Sequence, residues 1–156
     1  MGIMDFFLGK PKEGPANAPG ACAAPAATKP VAKPFSIAAK FDSLRLRAGR
    51  NSKIFLEVGV TNITSQKQLV SVDLGLPAKS NIGFDIACNQ NYVEKRLGEV
   101  MPGATAKFSI PIYANERTRE GSYTVEINAF SHYLDYRKVL SQMKKKVALR
   151  SVAAGR

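Results

Sequence analysis

At 156 residues the chain accommodates one domain with an appendage, or at most two very small domains. Its 45% apolar content supports a core, and no stretch approaches the ~18 apolar residues of a membrane-spanning helix. Charge is lopsided: 23 Lys and Arg against 12 Asp and Glu give +11, while a single His excludes any site built from several imidazoles.

The chain opens on Met1-Gly2-Ile3-Met4-Asp5-Phe6-Phe7-Leu8-Gly9-Lys10. A secretory signal has basic residues first and then a longer apolar run. Here Asp5 breaks the run, and Lys10 and Lys12 follow it. Phe6 stands where a myristoylation motif wants Ser or Thr. These features predict an intracellular, cytoplasmic protein. Residues 1–9 form a short apolar peptide, and Ile3, Phe6, Phe7 and Leu8 are candidate anchors for a partner's groove. With Lys10 and Lys12 behind them, the same residues also suit insertion at an anionic membrane surface.

Residues 10–34 read as a disordered, semi-extended linker. Pro11, Pro15, Pro19, Pro25, Pro30 and Pro34 alternate with alanines, and no aromatic side chain is present to bury. Cys22 lies in this linker and Cys88 near the end of an expected strand, so the pair is not expected to form a disulfide; Cys88 reads as a small buried hydrophobe.

From residue 35 the pattern changes. Ile54, Leu56, Val58 and Val60 share one parity, as do Val70, Val72, Leu74 and Leu76. Ile82, Phe84, Ile86 and Cys88 follow, then Phe108, Ile110 and Ile112, then Tyr123, Val125, Ile127 and Ala129. Period two marks half-buried strands, and Gly49, Ser80-Asn81, Pro102-Gly103 and Gly121 punctuate them as turns. The expected strands are 35–47 in two pieces, 53–61, 69–76, 82–88, 105–113, 122–131 and 143–152. Short strands with regular turns predict an all-β antiparallel sandwich of about seven strands over 35–156. Pro111 cannot donate to a ladder, so its strand should be an edge or carry a bulge. Residues 90–98 have no clear reading, and Tyr133 to Met143 fit either a long hairpin or a short helical turn.

Three features occur in fixed order: a strand ending in Val60-Thr61-Asn62, a Pro102-Gly103 turn leading into Ala106-Lys107-Phe108-Ser109-Ile110, and Glu120-Gly121-Ser122-Tyr123-Thr124-Val125-Glu126-Ile127. This order resembles the immunoglobulin-like domains of the CARDB type and related domains attached to some glycosidases. The resemblance covers about 35–152. It implies a seven-stranded sandwich, a binding or spacer role, and a tyrosine corner at Tyr123.

Several chemistries lack their residues. Blue-copper and iron sites need more than His132, and Cys22, Cys88 and His132 are too few and badly spaced for zinc. His132 and Asp135 with a serine would supply a triad's residue types, but no Gly-x-Ser-x-Gly elbow is present. By parity with Thr124, Glu126 and Asn128, His132 falls on the outward face, as a surface or loop histidine. No catalytic residue, metal site or cofactor is expected, and the chain is not read as an enzyme.

Basic charge is concentrated in residues 137–156, which hold Arg137, Lys138, Lys144, Lys145, Lys146, Arg150 and Arg156 and no acid. Arg45, Arg47, Arg50 and Lys53 form a second group. These cations are candidates for an acidic partner or anionic lipid, or serve only to keep edges from aggregating. In Lys144-Lys145-Lys146, alternation sends one lysine toward the sandwich or beyond its rim. Nucleic acid ranks lower, because few aromatics stand near the basic tail. The leading reading is an interaction module with a protein partner. A peripheral membrane protein comes second, and a structural component of a shell or virion third.

Overall fold

The computed structural model describes residues 33–153. Ile3, Phe6, Phe7 and Leu8, most of the expected linker, Cys22 and Arg156 lie outside the described residues. Among those described, every regular element is a strand: β1 Phe35–Phe41, β2 Leu46–Arg47, β3 Ser52–Asn62, β4 Gln68–Gly75, β5 Ile82–Gly83, β6 Tyr92–Val100, β7 Thr105–Ala114, β8 Gly121–Tyr133 and β9 Asp135–Val152. A four-stranded sheet runs β1-β3-β7-β5, and a five-stranded sheet runs β2-β9-β8-β4-β6.

The alternating residues build the core. Ile54, Leu56, Val58 and Val60 of β3, Val70, Val72 and Leu74 of β4, and Val125, Ile127 and Ala129 of β8 are all buried in one apolar cluster between the sheets. Phe35 and Ile37 of β1 and Leu149 of β9 join it. The first strand changes sheets: β1 pairs antiparallel with β3, and β2 then pairs with β9. Apart from the two-residue β5, which precedes β6 in the chain, this is the strand order of an immunoglobulin-like sandwich. The Tyr123 hydroxyl donates to the Arg119 carbonyl oxygen at 2.7 Å, which makes the expected tyrosine corner.

The structure corrects several expectations. Nine strands replace seven, and the β2–β9 pairing is parallel within an otherwise antiparallel sandwich. β6 occupies the unassigned stretch around 90–98. Val93 and Leu97 keep one parity with Lys95 between them, and the step of three from Leu97 to Val100 marks a register shift opposite Val70/Ser71, where Gly98 takes a positive φ of 77°. Tyr133 to Met143 forms the hairpin rather than the helical turn, and β9 starts at Asp135. β5 stops at Gly83 instead of reaching residue 88. The Asp85 carboxylate accepts from the backbone N–H of Asn89 at 2.9 Å and Gln90 at 2.8 Å, which curls the chain out of the sheet. Ile86 is therefore exposed, and Cys88 sits half-buried in a turn at φ 56° rather than in a strand's core. Pro111 lies on an edge: the β3–β7 register continues through Phe55↔Pro111, while β5 pairs only with Tyr113 and Ala114.

Candidate functional site

The sandwich has two ends. At one, β1 begins, β3 ends, β4 begins, β6 ends, and the β8–β9 hairpin turns. Asn62 organises this end. It is fully buried, and its Nδ2 donates to the carbonyl oxygens of Gln66 at 2.8 Å and Val100 at 2.9 Å. Its Oδ1 accepts from the Thr64 backbone N–H at 2.9 Å and the Thr64 hydroxyl at 2.7 Å. Its backbone N–H donates to Ala104 O, and its carbonyl accepts from Gly103 N–H. One carboxamide thus ties the β3–β4 loop to the β6–β7 turn. The next residue, Ile63, donates its N–H to Pro34 O at the entry to β1.

The hairpin tip is clamped separately. The Tyr136 hydroxyl accepts from Gly98 N–H at 3.2 Å, its ring meets His132 edge-on at 5.1 Å, and the Arg96 guanidinium lies 4.8 Å from the ring centroid. His132 is on the outer face, as its parity predicts, yet it is buried, because Tyr136 covers that face. The expectation of an exposed histidine is corrected here: alternation reports the face of the sheet and is silent about what folds over it. His132 Nε2 lies 2.8 Å from Ser71 Oγ, a serine–histidine contact. Among the described residues no orienting carboxylate completes it. His132 Nδ1 has no hydrogen-bond partner among the described residues, and Asp135 is instead paired with Arg137 at 3.7 Å.

The basic candidates divide into distinct places. Parallel pairing sets Leu46 beside Ser151 and Arg47 beside Val152, with Leu46 and Ser151 buried. Arg45, Arg47 and Arg150 therefore share the outward face at one end of β9, and Lys144 and Lys146 continue that face. The stripe from Lys144 to Arg150 is about 20 Å long at ~3.3 Å per residue. On the facing rungs of β8 stand Ser122, Glu126 and Asn128, and Glu126 is paired with Lys146 at 3.1 Å. Lys145 is the lysine turned inward: its Nζ donates to Ile37 O of β1 at 2.7 Å, bridging the two sheets. Arg50 sits in the β2–β3 turn 3.5 Å from Glu116, and Lys53 lies over the Phe55 ring on the other sheet. Neither belongs to the stripe. Arg137 and Lys138 stand at the hairpin tip.

Two depressions stand out among the described residues. One, about 550 Å³, lies over the outer face of the four-stranded sheet, where Ala38 and Gly59 leave room between Lys40, Glu57 and Lys107. The other, about 510 Å³, is at the opposite end, lined by Arg50, Asn81, Cys88, Asn115 and Arg117 among others. Burial, and then the charge of Asp85, pushes the Cys88 thiol up from its ordinary value. Among the described residues no three of His, Cys, Asp and Glu stand close enough to hold a metal ion.

On the outer face of β6, the Tyr92 hydroxyl donates to Asp73 Oδ2 at 2.6 Å. This bond, then partial burial and the nearby carboxylate charges, push the phenol up to about 12. The bond's contribution is therefore full below about pH 10 and is lost as pH rises toward 12. In a spectrophotometric titration one tyrosine should ionise later than its neighbours, and Asp73→Asn should bring that step back toward about 10. An unchanged late step would assign it to another tyrosine.

No family model matches this chain. No curated protein matches it either. Solved structures similar to it include a FixG-related protein from Vibrio parahaemolyticus, with TM-score 0.48, 13% identity, and coverage of 76% of this chain and 97% of that one. Escherichia coli alpha-2-macroglobulin matches with TM-score 0.49 and 16% identity over 76% of this chain, which spans 7% of the macroglobulin's length. A CARDB domain from Pyrococcus furiosus, solved in complex with di-metal ions, matches with TM-score 0.43, 15% identity, and coverage of 76% and 89%. A CARDB domain is thus among the folds this sandwich resembles, and the likeness concerns the fold alone.

Proposed function

We propose that this chain is a non-catalytic, intracellular interaction module that recognises an acidic protein surface. One observation carries the reading: the parallel β2–β9 register gathers Arg45, Arg47 and Arg150 from distant parts of the sequence onto the face that holds Lys144 and Lys146. Against the five cations of the stripe its facing strand sets one carboxylate, Glu126, so the stripe keeps a net positive charge that attracts an acidic partner and speeds its encounter. The sandwich supplies the rigid support. The apolar N-terminal peptide with Ile3, Phe6, Phe7 and Leu8 is proposed as a second contact with the same partner.

The test is calorimetric titration of the full chain with polyglutamate at low and high salt. The combined variant Arg47→Glu, Lys144→Glu, Arg150→Glu should bind at least about tenfold more weakly, and salt should weaken the wild type. Equal affinity of variant and wild type removes the stripe from the function. Tighter binding of duplex DNA than of polyglutamate at equal salt transfers the stripe to nucleic acid.

A further inference from the structure

Nine large apolar side chains are exposed among the described residues, and six of them crowd one end of the sandwich. They are Ile63 of the β3–β4 loop, Met101 of the β6–β7 turn, and Tyr133, Leu134, Val139 and Leu140 of the β8–β9 hairpin. Leu134, at the very turn, is 85% exposed. The last two rungs of the hairpin, His132↔Val139 and Tyr133↔Asp135, hold three of the six between or beside them. Single exposed hydrophobes are ordinary on a protein surface, but a concentration on converging loops marks an interaction site.

The shape and charge of this end choose among occupants. It is made of loop tips, whereas the depressions of about 550 and 510 Å³ lie over a sheet face and at the opposite end. Exposed apolar tips with neither depression among them suit a soft, planar apolar layer. Cations surround the tips: Lys33 beside β1, Lys67 in the β3–β4 loop, and Arg137 and Lys138 in the hairpin. The carboxylates nearby are Glu99, paired with Lys67 at 3.2 Å, and Asp135, paired with Arg137. Tyr133 adds an aromatic ring with a polar tip, the side-chain type enriched where hydrocarbon meets headgroups. The presentation is fixed in advance by Asn62 and by the Tyr136 clamp, so little ordering is lost on contact.

We propose that this end docks on an anionic lipid surface, with Leu134, Leu140 and their neighbours entering the interfacial layer while Arg137 and Lys138 meet the headgroups. The assignment is independent of the basic stripe on β9. Arg45, Arg47 and Arg150 stand at the far end of the sandwich, beyond the ~8 Å screening length, and remain free when the apolar end is engaged.

The chain contains no tryptophan, so Leu134→Trp places a single reporter at the tip. With phosphatidylserine-containing vesicles, the emission of the full-chain variant should shift to the blue and be quenched by brominated acyl chains. Ile86→Trp, at the opposite end, should not respond. The combined variant Leu134→Gln, Val139→Gln, Leu140→Gln should cosediment with these vesicles at least about tenfold less well than wild type. Polyglutamate binding should be unchanged in that variant, which separates this proposal from the role of the stripe. An unmoved Leu134→Trp spectrum, or equal cosedimentation of wild type and variant, overturns it. A blue shift that appears with protein concentration and no lipid also overturns it, by assigning the end to contacts between copies.

Discussion

Asn62→Ala should lower the stability of the sandwich by about 3 kcal/mol, a loss of roughly 10 °C in melting temperature for a domain of this size. The truncated side chain would leave the Val100 carbonyl oxygen, beside a buried residue, without its donor, and would release Gln66 O and both groups of Thr64. Leaving buried groups unpaired costs more than the net worth of the bonds they made. Asn62→Asp should be worse at neutral pH, because it replaces a donor with a carboxylate against two carbonyl oxygens. Calorimetric melting of both variants checks the order. If Asn62→Ala melts within about 2 °C of wild type, the loops are held by their backbone bonds alone.

The second large effect is expected at Gly83. A Cβ there would lie 2.5 Å from the Cys88 Cα and 2.9 Å from its carbonyl carbon, so backbone blocks it rather than a movable side-chain end. The blocking loop is held by the Asp85 carboxylate on Asn89 and Gln90 N–H, and by the Phe84 N–H bond to Gln90 O. Gly83→Ala must push this loop away, at about 2 kcal/mol. It should also free the Cys88 thiol, whose Sγ approaches the Tyr113 carbonyl oxygen at 3.5 Å and whose raised pKa makes it a slow nucleophile. Its reaction with a disulfide reagent at pH 8 should speed up several-fold. Gly59→Ala is the contrast, because its Cβ would meet nothing closer than Thr105 Cγ2 at 3.5 Å and should change stability by less than about 0.5 kcal/mol. Equal stability and equal thiol reactivity in Gly83→Ala and wild type would mean that the loop yields without cost.

The legible part of this fold is the part whose energetics are periodic. β3, β4 and β8 each bury every second residue, so Ile54 to Val60, Val70 to Leu74 and Val125 to Ala129 announce their strands. Tyr123 was readable through the resemblance, which implies a corner tyrosine near the start of this strand. β6 was hidden twice over: Lys95 stands where the alternation wants an apolar residue between Val93 and Leu97, and the bulge at Leu97 and Gly98 turns the next step into three. The shortening of β5 came from one side chain, Asp85, competing for backbone donors. His132 shows the limit of alternation: its face follows from its parity, but its burial depends on Tyr136, four residues later and across a hairpin. The crowded apolar end was the least legible feature. Its six residues come from three connections that only the strand order brings together, and each alone reads as an unremarkable loop residue. The charge stripe was half legible: both basic groups stood out in the sequence, but the parallel register that joins Arg47 to Arg150 did not.

That same register has a consequence for the order of events during folding. Leu46 emerges early from the ribosome, yet the strand it pairs with ends at Val152, some hundred residues later. β1 can settle on β3 at once, but β2 and the inward reach of Lys145 to Ile37 must wait until nearly the whole domain has been made. Closing such distant pairings comes late and slowly, in the millisecond-to-second range typical of sandwiches, as stopped-flow refolding would read directly. Until then Leu46 and the partner face of β9 lack their cover, so the newly made chain is most prone to aggregate in the interval just before its last strand docks.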